Sequence, residues 1–372
     1  MQKRLFTLLF ISILSFFDII AYGVPPSLKI EKVIYNENIA FPYVVSEKPE
    51  MNKIADVINI RLQNILFGGD EIIDTNNLDL IKEYVFIQND TIDQSGISQL
   101  EYTYIFYPRF LEIVINMDWA GGPYPVGAST DRLYFELQTG EAIVLPDLID
   151  ATKYFNFLQL YWLNECGNSI RESHQCAHGN ETDDYESTAA YTLDGPCEFQ
   201  CHKINNNFIL SIDSIQIRNN PNCFPHVSQN CNSGSSKYLK VALIKPYLSD
   251  FGKWLFGLEN TYKPIMEAFH FVGKLDDKYK ISMTLISSNS NVVKGTYFYW
   301  SQNKKISIEG EIITNKLYLG EYTNDSLNGR FELEWDNFLY STDGFWINVK
   351  TGKKLKAELM GIYDYRDRSY YR

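Results

Sequence analysis

Past its opening segment the chain lacks any apolar run approaching the roughly 20 residues that a helical membrane span requires, so a polytopic helical membrane protein is excluded. It also lacks a nucleophile-elbow Ser motif, a Gly-rich phosphate loop and a HExxH pair, so the hydrolase, nucleotide-binding and zinc-peptidase chemistries those motifs carry have no foothold. Basic residues are few, 34 against 46 acidic, and the resulting net charge of −12 argues against nucleic acid and anionic lipid as partners. Cysteine is absent before position 166 and after position 231. Histidine is scarce: of five, four (His174, His178, His202, His226) lie among the cysteines and His270 stands alone.

What is present begins with an export pattern. Lys3 and Arg4 precede an apolar run from Leu5 to Phe17, and Ala21-Tyr22-Gly23 puts small residues where a signal peptidase reads them. Residues 1–23 are expected to be a removed signal, Asp18 making the run too short for an anchor, with no transmembrane segment in the mature chain. That segment carries Lys3, Arg4 and Asp18, net +1, so its removal leaves −13, which favours solubility or a basic partner. In an exported chain the six cysteines, Cys166, Cys176, Cys197, Cys201, Cys223 and Cys231, are expected to form three disulfides. Six cysteines allow roughly fifteen pairings, and the sequence does not choose among them. A zinc site from Cys176 with His178, or Cys197 with Cys201 and His202, is the weaker alternative, because exported thiols pair; no metal and no cofactor are expected.

Residues 24–45 alternate as a lead-in strand, with Pro42 marking an edge or kink. Met51, Ile54, Ile58, Leu62 and Ile65 then recur at helical spacing, after Pro49 and before Gly68-Gly69. Residues 70–98 allow one short helix through Leu78, Ile81 and Tyr84. Leu100, Tyr102 and Tyr104 alternate on one strand and Leu111, Ile113, Ile115 and Met117 on the next, turning at Pro108-Arg109. The stretch 118–150 anchors this half: a Gly and Pro loop (Gly121, Gly122, Pro123, Pro125, Gly127), a strand at 133–138, a turn at Thr139-Gly140, a short strand Ala142 to Leu145, and Asp150 as the cap of a helix over 151–164. Residues 207–217 read as one strand crossing the Cys-rich excursion; Tyr238 to Leu248 and a helix-like stretch from Pro246 to Phe256 follow.

From Phe269 to Tyr363 eight short strands recur at regular intervals, separated by turn signals such as Asp276-Asp277, Asn315-Lys316 and Thr351-Gly352. The expected fold is therefore an α+β N-terminal domain, an antiparallel sheet with helices on one face, plus an all-β C-terminal meander or small barrel. The boundaries read as signal 1–23, α+β domain 24–257 with a disulfide-rich insertion at 164–236, linker 258–268, β domain 269–363 and tail 364–372.

The edge Phe41-Pro42, Ile58-Asn59 on the amphipathic helix, the hairpin ending in Gly121-Gly122, and Tyr134-Phe135-Glu136-Leu137-Gln138-Thr139-Gly140-Glu141 followed by Leu145-Pro146-Asp147-Leu148 carry a family likeness. Over residues of about 28–250 the chain resembles the extracytoplasmic domain shared by RsiV-type anti-sigma factors and PdaC-type peptidoglycan deacetylases, the DUF3298/RsiV-like domain. Where that family commonly has Ala and His after its glycine loop, Pro123-Tyr124-Pro125 stands here, and the Cys-rich insertion is a further departure. The resemblance implies a domain that recognises lysozyme or accompanies a wall-modifying enzyme. Neither a sigma-binding segment nor a deacetylase domain is recognisable here.

Candidate partner-binding residues are Trp119, Gly121, Gly122 and Tyr124 in the glycine loop, with Asp131 and Glu136 on the anchor strand. Asp118, Asp131 and Glu136, or Glu309, Glu311 and Glu321 in the β domain, are the carboxylates available for acid-base work; exposed acidic strand faces are more often plain solvation. Tyr297, Tyr299, Trp300, Trp335 and Trp346 are either barrel core or a platform for sugars or an apolar ligand. The expected function is a periplasmic or secreted, non-catalytic binding protein that recognises a cell-wall component such as peptidoglycan, or a basic wall-acting protein such as lysozyme. The alternatives are an enzyme acting on wall glycan and a carrier of a small apolar ligand in the β domain.

Overall fold

A computed structural model describes residues 27–34, 36–67, 96–120, 126–178, 200–202, 208–219, 234–266, 268–289, 292–302, 304–323, 326–335 and 341–362. The expected signal, the short helix with Leu78, Ile81 and Tyr84, Gly68-Gly69, the Gly and Pro loop at 121–125, Cys197, Cys223, Cys231 and the tail lie outside the described residues. The chain divides into two compact units, one ending at Ala142 and the other beginning at Ile143.

In the first unit β1 (Leu28–Ile34) and β2 (Ala40–Ser46) form an antiparallel pair. The alternating stretch read as a single lead-in strand is thus a hairpin. Asn36 makes the reversal, its side-chain oxygen accepting the N–H groups of Asn38 and Ile39, each at 2.8 Å. A 3-10 turn at Pro49–Met51 opens α1 (Asn52–Phe67), which buries Ala55, Ile58 and Leu62. Asn59, on the same buried side, donates to the Val44 carbonyl and accepts from the Val44 N–H, both at 2.8 Å, so a side-chain amide completes the ladder of β2 from the helix.

The strands β3 (Gly96–Phe106), β4 (Phe110–Ala120) and β5 (Val126–Glu136) form an antiparallel meander in that order. Their register, Leu100↔Met117, Ile113↔Leu133 and Leu111↔Phe135, stacks the alternating apolar residues on one buried face. After β5 the chain reverses at Gly140, whose φ of +83° only glycine adopts freely and whose missing Cβ would lie 2.7 Å from the Ile54 carbonyl oxygen. Ala142 returns only as a single bridge to Phe135.

The second unit starts where a strand Ala142 to Leu145 was expected. The chain there turns into a short helix, α2 (Leu145–Leu148), because Pro146 suits a first helical turn and the Asp147 carboxylate takes the Val144 N–H at 3.0 Å. Asp150 caps as expected, accepting the Thr152 N–H at 2.9 Å and its hydroxyl at 2.7 Å, over a 3-10 turn at Ala151–Lys153. α3 (Tyr154–Tyr161) and α4 (Leu163–His178) follow. The strand read over 207–217 is a hairpin, β6 (Phe208–Leu210) and β7 (Ser214–Asn219), with Ser211 and Ser214 bridging its turn at 2.7 Å; β8 (Ser235–Lys240) joins β7. Two short helices close this part, α5 (Val241–Ile244) and α6 (Asp250–Leu255), the latter capped by Ser249. Gly252 lets α6 approach α2, since a Cβ there would overlap the Leu148 carbonyl.

The C-terminal part is a closed antiparallel barrel of eight strands. These are β9 (Ala268–Leu275), β10 (Tyr279–Asn289), β11 (Val292–Tyr299), β12 (Ile306–Ile313), β13 (Lys316–Thr323), β14 (Ser326–Glu334), β15 (Ser341–Asn348) and β16 (Lys354–Gly361), with β16 pairing back onto β9. Asp276, Asp277, Thr314 and Asn315 take positive φ at the tight hairpins. Side chains fill the interior, among them Phe271, Met283, Leu319, Phe331 and Leu359. Charges lie outward, as in the pairs Lys294–Glu309 and Lys316–Glu334. This is the reverse of a membrane barrel's polar lumen and apolar outer band. Among the described residues no helix is long and apolar enough to cross a membrane.

Replacing Gly140 by Ala forces an L side chain into the left-handed region against the Ile54 carbonyl. Urea denaturation is expected to show a loss of about 2 kcal/mol; an unchanged midpoint would contradict the turn's role in fixing the end of β5.

Candidate functional site

The acidic candidates of the first unit do not converge. Asp131 shares the buried face of β5 with Leu133 and Phe135 and pairs across to Ile115; burial pushes its carboxyl above the ordinary value. Glu136 points to the opposite face and is fully buried. Its oxygens accept the Gln138 N–H at 2.7 Å and the Thr139 N–H at 2.9 Å, with the Thr139 hydroxyl also bound, so the carboxylate holds the turn that leads to Gly140. Asp118 pairs with Ala128, eight residues along β5 from Glu136, roughly 26 Å at the rise of a strand. Trp119 ends β4, but its side chain and Gly121, Gly122 and Tyr124 lie outside the described residues. One polar cluster escaped the sequence: Glu112, nearly inaccessible, accepts from Arg132 at 2.7 Å, Tyr134 at 3.2 Å and Tyr107 at 3.5 Å. A lone acid inside the apolar run Leu111 to Ile115 was its only signal.

The barrel's carboxylates separate as well. Glu309 and Glu311 are exposed on the outer face, Glu309 in an ion pair with Lys294 at 2.8 Å. Glu321 points inward, where one of its oxygens accepts from Tyr297 at 2.6 Å and from Trp346 at 2.8 Å. Burial, before the neighbouring Tyr299 and Glu321, drives the Tyr297 phenol far above its usual range. Trp335 packs in the core with Tyr297.

Trp300 behaves differently. Tyr297 and Tyr299 turn toward the core, so the period of two sends Phe298 outward, and Trp300 stands just past the strand end on that same side. The Trp300 indole N–H donates to Ser282 on β10 at 2.8 Å, which fixes the ring. On its face lies the His202 imidazole, ring centroids 4.8 Å apart and tilted by 24°. Phe155 of α3 closes the group, 5.8 Å from Phe298 and 6.4 Å from His202.

These elements are tied locally. Tyr154 stacks on His270 of β9 at 4.4 Å, Phe155 meets the same ring edge-on at 5.7 Å, and His270 bonds Thr284 at 2.8 Å, so the lone histidine is a packed structural residue. His202 is held from behind by the disulfide Cys166–Cys201, which joins α4 to the 3-10 turn at Gln200–His202 across 35 residues of sequence. The Trp162 indole adds a bond to the Cys201 carbonyl at 2.9 Å. Cys176 is disulfide-bonded too. Cys201 and His202 are therefore committed to a disulfide and a ring stack, not to the zinc site weighed from the sequence.

Together Phe155, His202, Phe298 and Trp300, with Gln159, Leu163 and Ser282, line a cleft of about 230 Å³. Among the described residues no Asp, Glu, Lys or Arg lines it, although Lys280 holds its ammonium 5.9 Å from the Trp300 ring centre. His202 is neutral at ordinary pH, since burial lowers its pKa from 6.5 to about 4. A second cleft of about 260 Å³ is lined by Asp150 and Asp250, but Lys153 and Lys253 already engage those carboxylates. The aromatic cleft can take an uncharged ring by stacking.

No family model matches the chain, and no curated protein matches it. Among solved structures, a crystal structure of a member of the DUF3298 family from Bacteroides fragilis is similar over 63% of this chain and 97% of its own, at 16% identity and a TM-score of 0.36. A likeness that loose carries no argument about fold or function.

The buried neutral imidazole makes stability depend on pH. Below 6.5 the unfolded chain protonates His202 while the native one does not until about pH 4, so stability present above 6.5 drains away as pH falls through that window. The loss amounts to roughly 3 kcal/mol. Urea midpoints measured from pH 7 to 4 are expected to fall less steeply in His202→Phe than in the wild type; parallel curves would contradict a buried neutral His202.

Proposed function

We propose that the chain is an exported, non-catalytic binding protein of the cell envelope that seats a neutral sugar ring of a wall glycan on Trp300. One observation carries this: an outward-facing indole, fixed through Ser282 and backed by His202, opens onto a cleft whose described lining residues carry no formal charge. Aromatic faces take the C–H face of a ring in that way, and a few placed polar groups set its orientation. The export pattern at residues 1–23 and the disulfide Cys166–Cys201 support an oxidising compartment, periplasmic or secreted. The filled barrel interior does not favour carriage of an apolar ligand inside it.

Lysozyme, as a basic wall-acting protein, is the rival partner, supported by the net charge of −12 and by the resemblance over residues 28–250. Titration calorimetry with a soluble neutral N-acetylated trisaccharide, the repeating chemistry of wall glycan, tests the proposal. Saturable binding that falls at least tenfold in Trp300→Ala supports it. No heat with the trisaccharide, together with retention of the chain on immobilised lysozyme at physiological salt, would replace the glycan by lysozyme. Release of reducing ends from muropeptides by the wild type would overturn the non-catalytic assignment.

A further inference from the structure

An antiparallel barrel sends alternate connections to the same end, and one end here collects β9–β10 (276–278), β11–β12 (300–305), β13–β14 and β15–β16 (349–353). These connections present exposed lysines: Lys278, Lys304, Lys305, Lys350, Lys353 and, at the first position of β16, Lys354. Among the described residues none of them has an acidic partner, whereas Lys294, Lys316, Arg330 and Lys356 on the barrel strands pair with Glu309, Glu334, Glu332 and Glu358. The acids described in the same connections are Asp276 and Asp277, and the Asp276 carboxylate already accepts the Lys356 N–H at 2.9 Å. The net charge of −12, which counts against an anionic partner for the chain as a whole, averages over this separation.

Large apolar side chains stand exposed at the same end: Tyr279, Tyr322, Leu327, Phe345 and Val349 are 39% to 45% accessible. Three of them adjoin. Tyr322 pairs with Leu327, and both lie over Gly320, where a Cβ would stand 2.9 Å from the Tyr322 ring and 3.0 Å from Leu327. The Val349 N–H donates to the Asn328 carbonyl beside them at 3.0 Å. Two lysines lie along the exposed rings, Lys278 with its ammonium 5.3 Å from the Tyr279 ring centre and Lys354 5.5 Å from that of Phe345. Such a side chain covers apolar surface with its stem and keeps its charged head in water.

We propose that this end of the barrel docks on an anionic lipid bilayer, its lysines on the headgroup phosphates and Tyr322, Leu327 and Val349 in the boundary beneath them. Charge complementarity selects the partner. A small anion satisfies one or two lysines, while lysines spread over three connections need a surface that repeats its negative charge. The adjoining apolar side chains need a second feature, an apolar layer under the charges, which a bilayer supplies and a soluble polyanion lacks. Tyrosine and lysine together are the side chains that favour the membrane–water interface. The attachment is peripheral, because the outer face of the barrel carries ion pairs such as Lys294–Glu309 and the interior is filled. It is independent of the seat at Trp300.

Flotation with vesicles tests the proposal, using equal parts of phosphatidylglycerol and phosphatidylethanolamine against phosphatidylcholine alone, at low and physiological salt. The wild type is expected to partition at least tenfold more strongly onto the anionic vesicles. With about a fivefold contribution from each lysine, Lys350→Glu with Lys353→Glu is expected to lose at least tenfold at low salt. Lys294→Glu with Lys316→Glu makes the same charge change toward the other end and is expected to lose less than threefold. Leu327→Ser with Val349→Ser is expected to lose about tenfold at either salt, because insertion of apolar side chains is not screened. All these side chains are exposed, and each variant is first shown to melt cooperatively. Equal partition of the wild type onto both vesicles, or equal losses in the two charge-reversed proteins, overturns the docking face. Full competition by soluble poly(glycerol phosphate), with no effect of the two serine substitutions, would replace the bilayer by a free polyanion. Self-association that disappears in Lys350→Glu with Lys353→Glu, without vesicle binding, would assign the face to a second copy of the chain. Titration with the trisaccharide reads Trp300 separately, so failure here leaves the glycan seat standing, and the reverse.

Discussion

The second unit depends on one aromatic contact. Tyr154 and Phe155, adjacent at the start of α3, meet His270 on β9 from its face and its edge, and all three are largely or wholly buried. A pair of rings on consecutive residues can grip a third only if the helix start is fixed, and Asp150 fixes it by capping the preceding 3-10 turn. Lys305 adds a bond to the Thr152 carbonyl at 2.5 Å. The helical segment is thereby docked against the barrel where Phe298 and Trp300 emerge. Without that docking there would be a filled barrel and a helical layer, but no cleft.

The disulfide performs the second step. α4 follows α3 directly, and Cys166 sits in its buried face. Bonding to Cys201 draws a distant 3-10 turn onto the helix and leaves His202 against Trp300. A crosslink closing 35 residues contributes about 3–4 kcal/mol in the chain-entropy picture. Here its geometric effect matters more, since it anchors to α4 the three-residue turn that carries His202. The chemistry of the cleft follows from its described neighbours: four rings, among them one fixed indole and one buried neutral imidazole, with Gln159, Leu163 and Ser282 between them.

Much of the fold was legible because it rests on local periodicity. The barrel strands alternate inward and outward, and their hairpins carry residues tolerant of positive φ at Asp276-Asp277 and at Asn315. α1 was readable from Ile58 and Leu62, and the Asp150 cap from a single acid ahead of an aromatic run. The misreadings are equally local. Asn36 to Asn38 hid a hairpin reversal inside a continuous alternation, and Ser211 to Ser214 hid another. Pro146, taken to end a strand, opens a helix instead. Pattern alone supplied no means of choosing between these outcomes for proline.

The candidate site was far less legible. Trp300 was singled out, yet among five barrel aromatics nothing distinguished it from Tyr297 or Trp335, which lie in the core. Phe155 belonged to a helix, Phe298 to a strand and His202 to a Cys-rich excursion whose pairings remained open. The crosslink Cys166–Cys201, with the Trp162 bond to the Cys201 carbonyl, brings the third to the other two. Glu136 and Asp131, by contrast, were prominent in the sequence because of their strand and turned out to serve a turn and a buried sheet face. The most direct measurement is therefore titration of the neutral trisaccharide into the oxidised protein and into a Cys166→Ser, Cys201→Ser variant whose barrel is verified as folded by circular dichroism. Binding by the oxidised protein and at least a tenfold loss in the variant is the expected result; equal affinity in both would contradict a site assembled by the disulfide.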